Sequence, residues 1–367
     1  MKEPKILWLN KSNNEKYNLL NIDEFNNLTI KRKTILNLHI FKTYFNIKIN
    51  YSTKKLIFHF LIIFLIFSVF HERKKAFNNK NGYFACFIGI AKQENRYARE
   101  LIKYYTKLGV EKFIFGDNNL PRTERLSYVL SDYINNGTVE IIELFGSSTG
   151  QSELYEVVYE KYKTKCKWFL LFDFDEYLEL QLKGDKNVQL KDFLSNTIFN
   201  NCEAILFNWL TYTDNNLVYY DNRPIIERFT KPKYRHGGNV YVKSIVRGNL
   251  NKIIFLPKKS NHVPKKSVIR CNSKGKIINN YNPFGITPPI YDFGYLKHFP
   301  TKTAEEFCNK LIRGQPRNLG YNINEKVESF FKLNEFSEEK LKVFEKRFKR
   351  KFIAVENYFK KKKNVKK

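Results

Sequence analysis

The chain is short of acids. Its 36 Asp and Glu face 65 Lys and Arg, a formal net charge of +29 over 367 residues. No CxxC pair and no zinc spacing links its five cysteines, Cys86, Cys166, Cys202, Cys271 and Cys308. An odd number gives no complete disulfide framework and leaves the redox compartment open. Cys86 and Cys166 fall in or beside apolar strand-like runs and are expected to be simply buried. No internal repeat is present, and no small-x-small site follows the most hydrophobic run, which argues against a cleavable signal peptide. What is plentiful excludes a disordered chain: 43% of residues are hydrophobic and 16% aromatic, with 33 Phe and 23 Tyr. The positive charge is spread out, and its densest cluster, Lys360–Lys363 with Lys366 and Lys367, ends the chain. Nucleic acid is therefore not an expected partner.

Leu56–Phe70 (LIFHFLIIFLIFSVF) is the most hydrophobic stretch. At ~1.5 Å rise it spans roughly 22 Å against a hydrocarbon core of ~30 Å. Lys54 and Lys55 before it, and His71, Arg73, Lys74 and Lys75 after it, can snorkel and lengthen the usable span. Its continuous apolarity lacks the periodicity of a core helix, so one transmembrane anchor is expected over 54–72. Basic residues from Lys31 to Lys55 outnumber those just after the run, which leans toward a cytoplasmic N-terminus, a single-pass type II topology. The compartment would be Golgi-type in a eukaryote and the inner membrane in a bacterium. The remaining expected divisions are a polar leader at 1–53, poorly ordered or loosely helical, and a stem at 73–81. A catalytic domain at 82–320 and a peripheral basic helical tail at 321–367 follow.

From Gly82 the pattern alternates. Tyr83–Ala91 reads as a buried strand, Arg96–Leu108 as a helix with Gly109 at its C-cap, and Lys112–Phe115 as a second strand. Val139–Leu144, a helix at Glu153–Tyr162, and a strand at Lys167–Phe172 complete a doubly wound pattern: α/β, Rossmann-like, a mostly parallel sheet with helices on both faces. In such sheets ligands lie at the carboxyl ends of the strands. Those ends deliver Glu94, Asp117, and then Asp173 and Asp175. Later strands are expected at Ala204–Leu210, Val240–Val246, Lys252–Leu256 and Tyr295–Phe299. His236-Gly237-Gly238 reads as a mobile loop, a lid. Thr303 opens a helix, and Glu338–Lys363 reads as one long basic helix.

The stretch KWFLLFDFDEYLEL (167–180) organises the rest. On a continuing strand Asp173 and Asp175 point to one side. Carboxylates so placed repel unless a cation sits between them, and Mn²⁺ or Mg²⁺, binding through acids plus substrate phosphates, suits them. The alternative is a strand that ends in a solvated acidic turn.

In their order, several pieces resemble glycosyltransferase family 92 and its relatives in the family 2-like GT-A superfamily. They are IAKQENRYARELIKYYTKLGVEKFIFGDNN (90–119), Gln151, WFLLFDFDEYLEL (168–180), NWLTYTDNN (208–216), ERF (227–229), VKSIVR (242–247), NHVP (261–264) and LKHFPTKTAEEFCNKLIRGQPR (296–317). The resemblance implies a GT-A fold, a nucleotide-sugar donor, UDP-linked, a glycan or glycoconjugate acceptor, and transfer with inversion. It assigns Asp175 to the metal, Asp173 to the ribose or a water-mediated metal contact, and Glu94 and Asp117, with Gln151, to the donor. His262 is the expected third metal ligand and His298 its competitor.

Lys243 and Arg247 are candidates for the departing negative charge, and Asp214, then Glu227, for the base that takes the acceptor proton. Plainer roles exist for each: Glu94 favouring a helix dipole, Asp117 forming a turn, Asp214 and His262 decorating polar loops, Lys243 facing solvent. The competing functions are a non-catalytic glycan-binding module on the same fold and a metal-dependent nucleic-acid enzyme. The latter would need a second carboxylate cluster and a basic groove.

Overall fold

The computed structural model describes residues 6–11, 17–20, 82–120, 122–144, 151–182, 184–185, 188–251, 264–265, 267–279, 285–314 and 322–364. The expected anchor at 54–72, the stem, the strand at 252–256 and His262 lie outside those residues. Among the described residues no helix is long and apolar enough to cross a membrane.

The leader departs from expectation. β1 (Ile6–Lys11) and β2 (Tyr17–Leu20) pair as antiparallel strands. The apolar run ILWL, closed by Asn10 and Lys11, is too short for a helix of its own and suits a strand. Then come β3 (Tyr83–Ala91), α1 (Asn95–Leu108), β4 (Lys112–Asp117), β5 (Val139–Glu143), α2 (Gln151–Tyr162) and β6 (Cys166–Leu171). The second half holds β7 (Glu176–Leu180), β8 (Ala204–Thr211), β9 (Val242–Arg247), β10 (Arg270–Asn272), β11 (Gly294–His298) and α3 (Ala304–Arg313). It closes with α4 (Ile323–Leu333), α5 (Glu338–Phe348) and α6 (Ile353–Asn364).

The strands run β2-β1-β5-β4-β3-β6-β9-β8-β11-β7, with β10 paired to β8. From β1 to β6 the neighbours are parallel. Beyond β6 the sheet is mixed: β9 is antiparallel to both β6 and β8, β11 is parallel to β8, and β7 is antiparallel to β11. The expectation of a mostly parallel sheet thus holds for the first half alone.

The period of two sorts β3 between two cores. Ala85 and Phe87 face the layer of α1, with Tyr97, Leu101 and Tyr105. Cys86 and Ile88 face the layer of α2, with Leu154, Tyr155, Val158 and Tyr159. Each large apolar side chain so buried, such as Phe87, Ile88 or Leu101, contributes about 2 kcal/mol. Helices therefore cover both faces of the sheet at β3. Gly109 ends α1 at φ 108°, a left-handed cap that a side chain would strain.

Two expectations about cysteine and the tail are corrected. Cys86 and Cys166 are buried but bonded, tying β3 to its neighbour β6 at a Cα–Cα distance of 6.0 Å. Cys202 and Cys271 form a second disulfide at 5.7 Å. The odd cysteine, Cys308, is buried and free in α3. The tail is neither one helix nor peripheral: Lys349 adopts φ 51° and divides α5 from α6. Phe330, Phe331, Phe344, Phe352 and Phe359 then close a separate core around Phe307 and Cys308 of α3.

Candidate active site

Strand order locates the crevice before any side chain is considered. The chain winds β3 to β4 on one side and later places β6 on the other, so the order reverses between β3 and β6. Their carboxyl ends lead into Lys92-Gln93-Glu94 and into Asp173-Phe174-Asp175. Ligands of open α/β sheets bind at such a switch.

The acids do not lie along a continuing strand. β6 stops at Leu171 and β7 starts at Glu176, with a turn closed by the Glu176 N–H donating to the Asp173 carbonyl at 3.2 Å. The two carboxylates are consequently drawn to different cations. Asp173, a third exposed, accepts from Lys243 Nζ at 2.7 Å and from the Gln151 side-chain amide. Asp175, 9% exposed, accepts from Lys310 Nζ at 2.9 Å, with Lys302 Nζ at 4.0 Å. Burial works to raise the Asp175 carboxyl, but Lys310 and Lys302 outweigh it and hold the group ionised, well below the usual carboxylate range.

Lys243, expected in contact with solvent or with departing charge, is fully buried. Burial alone would lower it, yet Asp173 and Glu176, the latter 3.7 Å away, lift it above the ordinary lysine value. It is committed to fixing the acidic turn. Gln151, at the first position of α2, does the same for Asp173 and also donates to the Tyr155 hydroxyl at 2.6 Å.

His298 ends β11 in register with Glu176 of β7, beside Asp175. Its ring stacks on Trp209 at 4.0 Å between centroids, and its enclosed Nδ1 has no hydrogen-bond partner among the described residues. Burial, partly offset by Asp175, lowers the imidazole to about 3 and keeps it neutral, the form that ligates metal. Among the described residues no group of three or more His, Cys, Asp or Glu could by itself hold a metal ion. The ionised Asp175 and the neutral, orphaned His298 nevertheless fit Mn²⁺ or Mg²⁺, ions that bind one or two protein groups and complete their shell with phosphate and water.

Glu94 is brought to the same crevice. It is not a side-chain cap of α1; it pairs with Arg313 of α3 at 3.0 Å. Arg313 also donates to the Lys92 carbonyl. Glu94, Tyr97, Lys302, Lys310 and Arg313 line a cavity of about 240 Å³ there.

Four expected residues fall away. Asp117 is fully buried, and its oxygens accept from the N–H groups of Asn119 at 2.9 Å and Leu126 at 2.8 Å. It builds the loop after β4, the turn-forming role. Arg247 donates to the carbonyls of Cys202 and Phe199, each at 3.0 Å, and lies over Trp168. Asp214 is enclosed in an ion pair with Lys340 at 2.6 Å. Glu227 is exposed on a single helical turn, and it is its neighbour Arg228 that turns inward, donating to Glu306 at 2.8 and 3.1 Å. The loop at His236 is pinned rather than mobile. Asn239 is buried, donates to the carbonyls of Lys233 and Tyr234 at 3.0 Å, and accepts from the Thr211 N–H.

Lys302, Lys310 and Arg313 were not among the expected site residues. The pattern was present: Glu306, Lys310 and Arg313 recur at helical spacing after the Thr303 cap and share one face of α3. Nothing in the sequence showed that this face meets Asp175.

Residues 82–352 match the sequence model described as Glycosyltransferase family 92, and the chain belongs to that family. It is a glycosyltransferase. The match runs through α5, in keeping with the packing of the tail against α3. A comparison with curated proteins gives no match.

Among solved structures, the chain is similar to S. aureus TarS 1-349, at 16% identity over 45% of this chain and 47% of that one, with a TM-score of 0.28. A longer S. aureus TarS structure matches at 13% identity over 69% of this chain and 44% of that one, with a TM-score of 0.33. S. aureus TarS 1-349 in complex with UDP matches at 11% identity over 72% of this chain and 70% of that one, also at 0.33. At such scores these likenesses carry no weight for the site.

Proposed function

We propose that the protein moves a sugar from a nucleotide-sugar donor, UDP-linked, to a hydroxyl of a glycan or glycoconjugate, with inversion, on a GT-A fold that uses Mn²⁺ or Mg²⁺. The observation that carries this reading is Asp175, a buried carboxylate held ionised in the crevice between β3 and β6, with neutral His298 beside it. Asp175 and His298 would hold the cation, which when bound supplies Lewis-acid neutralisation of the donor's diphosphate. The chain's own residues do the rest by preorganisation. Lys243 and Gln151 fix Asp173 at the mouth of the turn, Trp209 fixes the His298 ring, and the Glu94–Arg313 pair closes the far side of the crevice. The test is incubation of the purified full-length protein with UDP- and GDP-sugars in Mn²⁺ or EDTA. Metal-dependent release of nucleoside diphosphate from one donor supports the reading; no release, with no nucleotide binding, contradicts it.

A membrane seat is part of the proposal, with residues 54–72 as the anchor and the domain across the membrane from a cytoplasmic N-terminus. Two disulfides within the domain support it, because such bonds persist in oxidising compartments. A single crossing at 54–72 would put residues 6–20 and the domain on opposite faces. The pairing of β1 with β5 is incompatible with that arrangement and counts against the crossing.

A further inference from the structure

We infer that Lys302, together with Lys310 and Arg313, forms a phosphate cradle that holds the diphosphate of the donor through the protein's own cations. The inference rests on the transferase reading above and assigns the donor's charged portion to the cavity beside Asp175.

Lys302 is the unusual member. Its side chain is 95% removed from solvent, since 5% of it is exposed, yet its ammonium has no hydrogen-bond partner among the described residues. Its neighbours are Asp175, 4.0 Å away, and the face of the Tyr97 ring, 4.7 Å away. A buried cation so weakly met is stable when an anion completes its shell. It lines the cavity, as do Lys310 and Arg313.

The local charges do not cancel. Three cations, Lys302, Lys310 and Arg313, face two carboxylates, Asp175 and Glu94. The other acid of the cavity lining, Glu306, is taken up by Arg228, the Tyr97 hydroxyl and Thr303. The surplus is positive and sits at the sheet's switch point, where a phosphate would arrive. The cations expected for this task, Lys243 and Arg247, are spent on the acidic turn and on backbone carbonyls.

The backbone holds Lys302 in place for the role. It adopts φ 56°, a conformation side-chain-bearing residues rarely take, and such outliers collect at ligand clamps. On its C-terminal side the Thr303–Glu306 capping box fixes the start of α3. On its N-terminal side Asn334 of the C-terminal unit donates to the Thr301 hydroxyl at 3.2 Å.

Calorimetric titration of the purified full-length protein with UDP, inorganic pyrophosphate and uridine tests the cradle, in EDTA and again in Mn²⁺. Lys302→Met should weaken UDP and pyrophosphate by about 10- to 100-fold, the range expected for a charge-assisted contact, in both conditions. Uridine binding should not change, and Lys302→Arg should retain most of the affinity. Lys310→Met should weaken the same two ligands, which keeps the test decisive if Lys302→Met does not fold. Unchanged pyrophosphate and UDP affinity in folded variants, or an equal loss for uridine, would overturn the cradle and leave the transferase reading intact. Failure of the wild-type protein to bind either phosphate probe, with no donor turnover, would overturn both.

Discussion

Asp214 and Lys340 meet at 2.6 Å, each 1% exposed, and join the loop after β8 to the helical C-terminal unit. Asp214 also accepts from the Asn216 N–H at 2.9 Å, and its own N–H donates to the Asn334 side chain at 2.7 Å. Removing one partner strands the other's charge in the interior. Asp214→Asn or Lys340→Met should each destabilise the fold by about 3 kcal/mol, whereas the double variant should recover much of the loss. Thermal or urea unfolding of the three variants checks this. Equal losses in the double and the singles would deny the coupling.

The disulfides give a thiol count. The folded protein should take up no iodoacetamide, because Cys308 is buried and burial pushes its thiol up to about 12. The denatured, unreduced chain should take one, and the reduced chain five. Intact-mass measurement reads each step. Five additions without reduction would show that the cysteines are unpaired.

Glu100 of α1 should impose a pH dependence on stability. Burial, opposed by the Ile225 N–H at 3.1 Å and by Arg228, raises its carboxyl from 4.5 to about 7. The folded state thus keeps this proton where the unfolded chain has released it. The resulting contribution is complete below pH 4.5 and is lost as pH rises through about 7. It amounts to at most about 3 kcal/mol. Denaturant midpoints of wild type and Glu100→Gln, compared between pH 4 and 8, should diverge over that window; parallel curves would refute the assignment.

Local patterns made much of the fold legible. The run from Tyr83 to Asp117 has the strand, helix, left-handed glycine and second strand that periodicity and turn chemistry imply. The helix after Thr303 carries its capping box as well. The site was less legible because its decisive partners are distant in sequence. Asp175 depends on Lys310, and Asp214 looks like a loop acid until Lys340 closes on it. Asp117 shows the opposite error: an acid at a strand end resembles a ligand group, but two loop N–H groups and the Arg125 guanidinium, 3.4 Å away, engage its oxygens. Lys243 lies on a strand that alternation would leave half exposed, but its side chain is enclosed beside Asp173, Glu176 and Tyr155.

The most direct test of the account sets Asp175 against Asp214 in a turnover assay with the donor that the wild-type protein accepts. Asp175→Asn should fold and lose at least about 100-fold in kcat, the scale of removing a group that organises transition-state charge. Asp214→Asn, assayed below its lowered melting point, should keep kcat within a few-fold of wild type because its carboxylate is structural. Full activity in Asp175→Asn, or selective loss of kcat in a stable Asp214→Asn, would contradict the account.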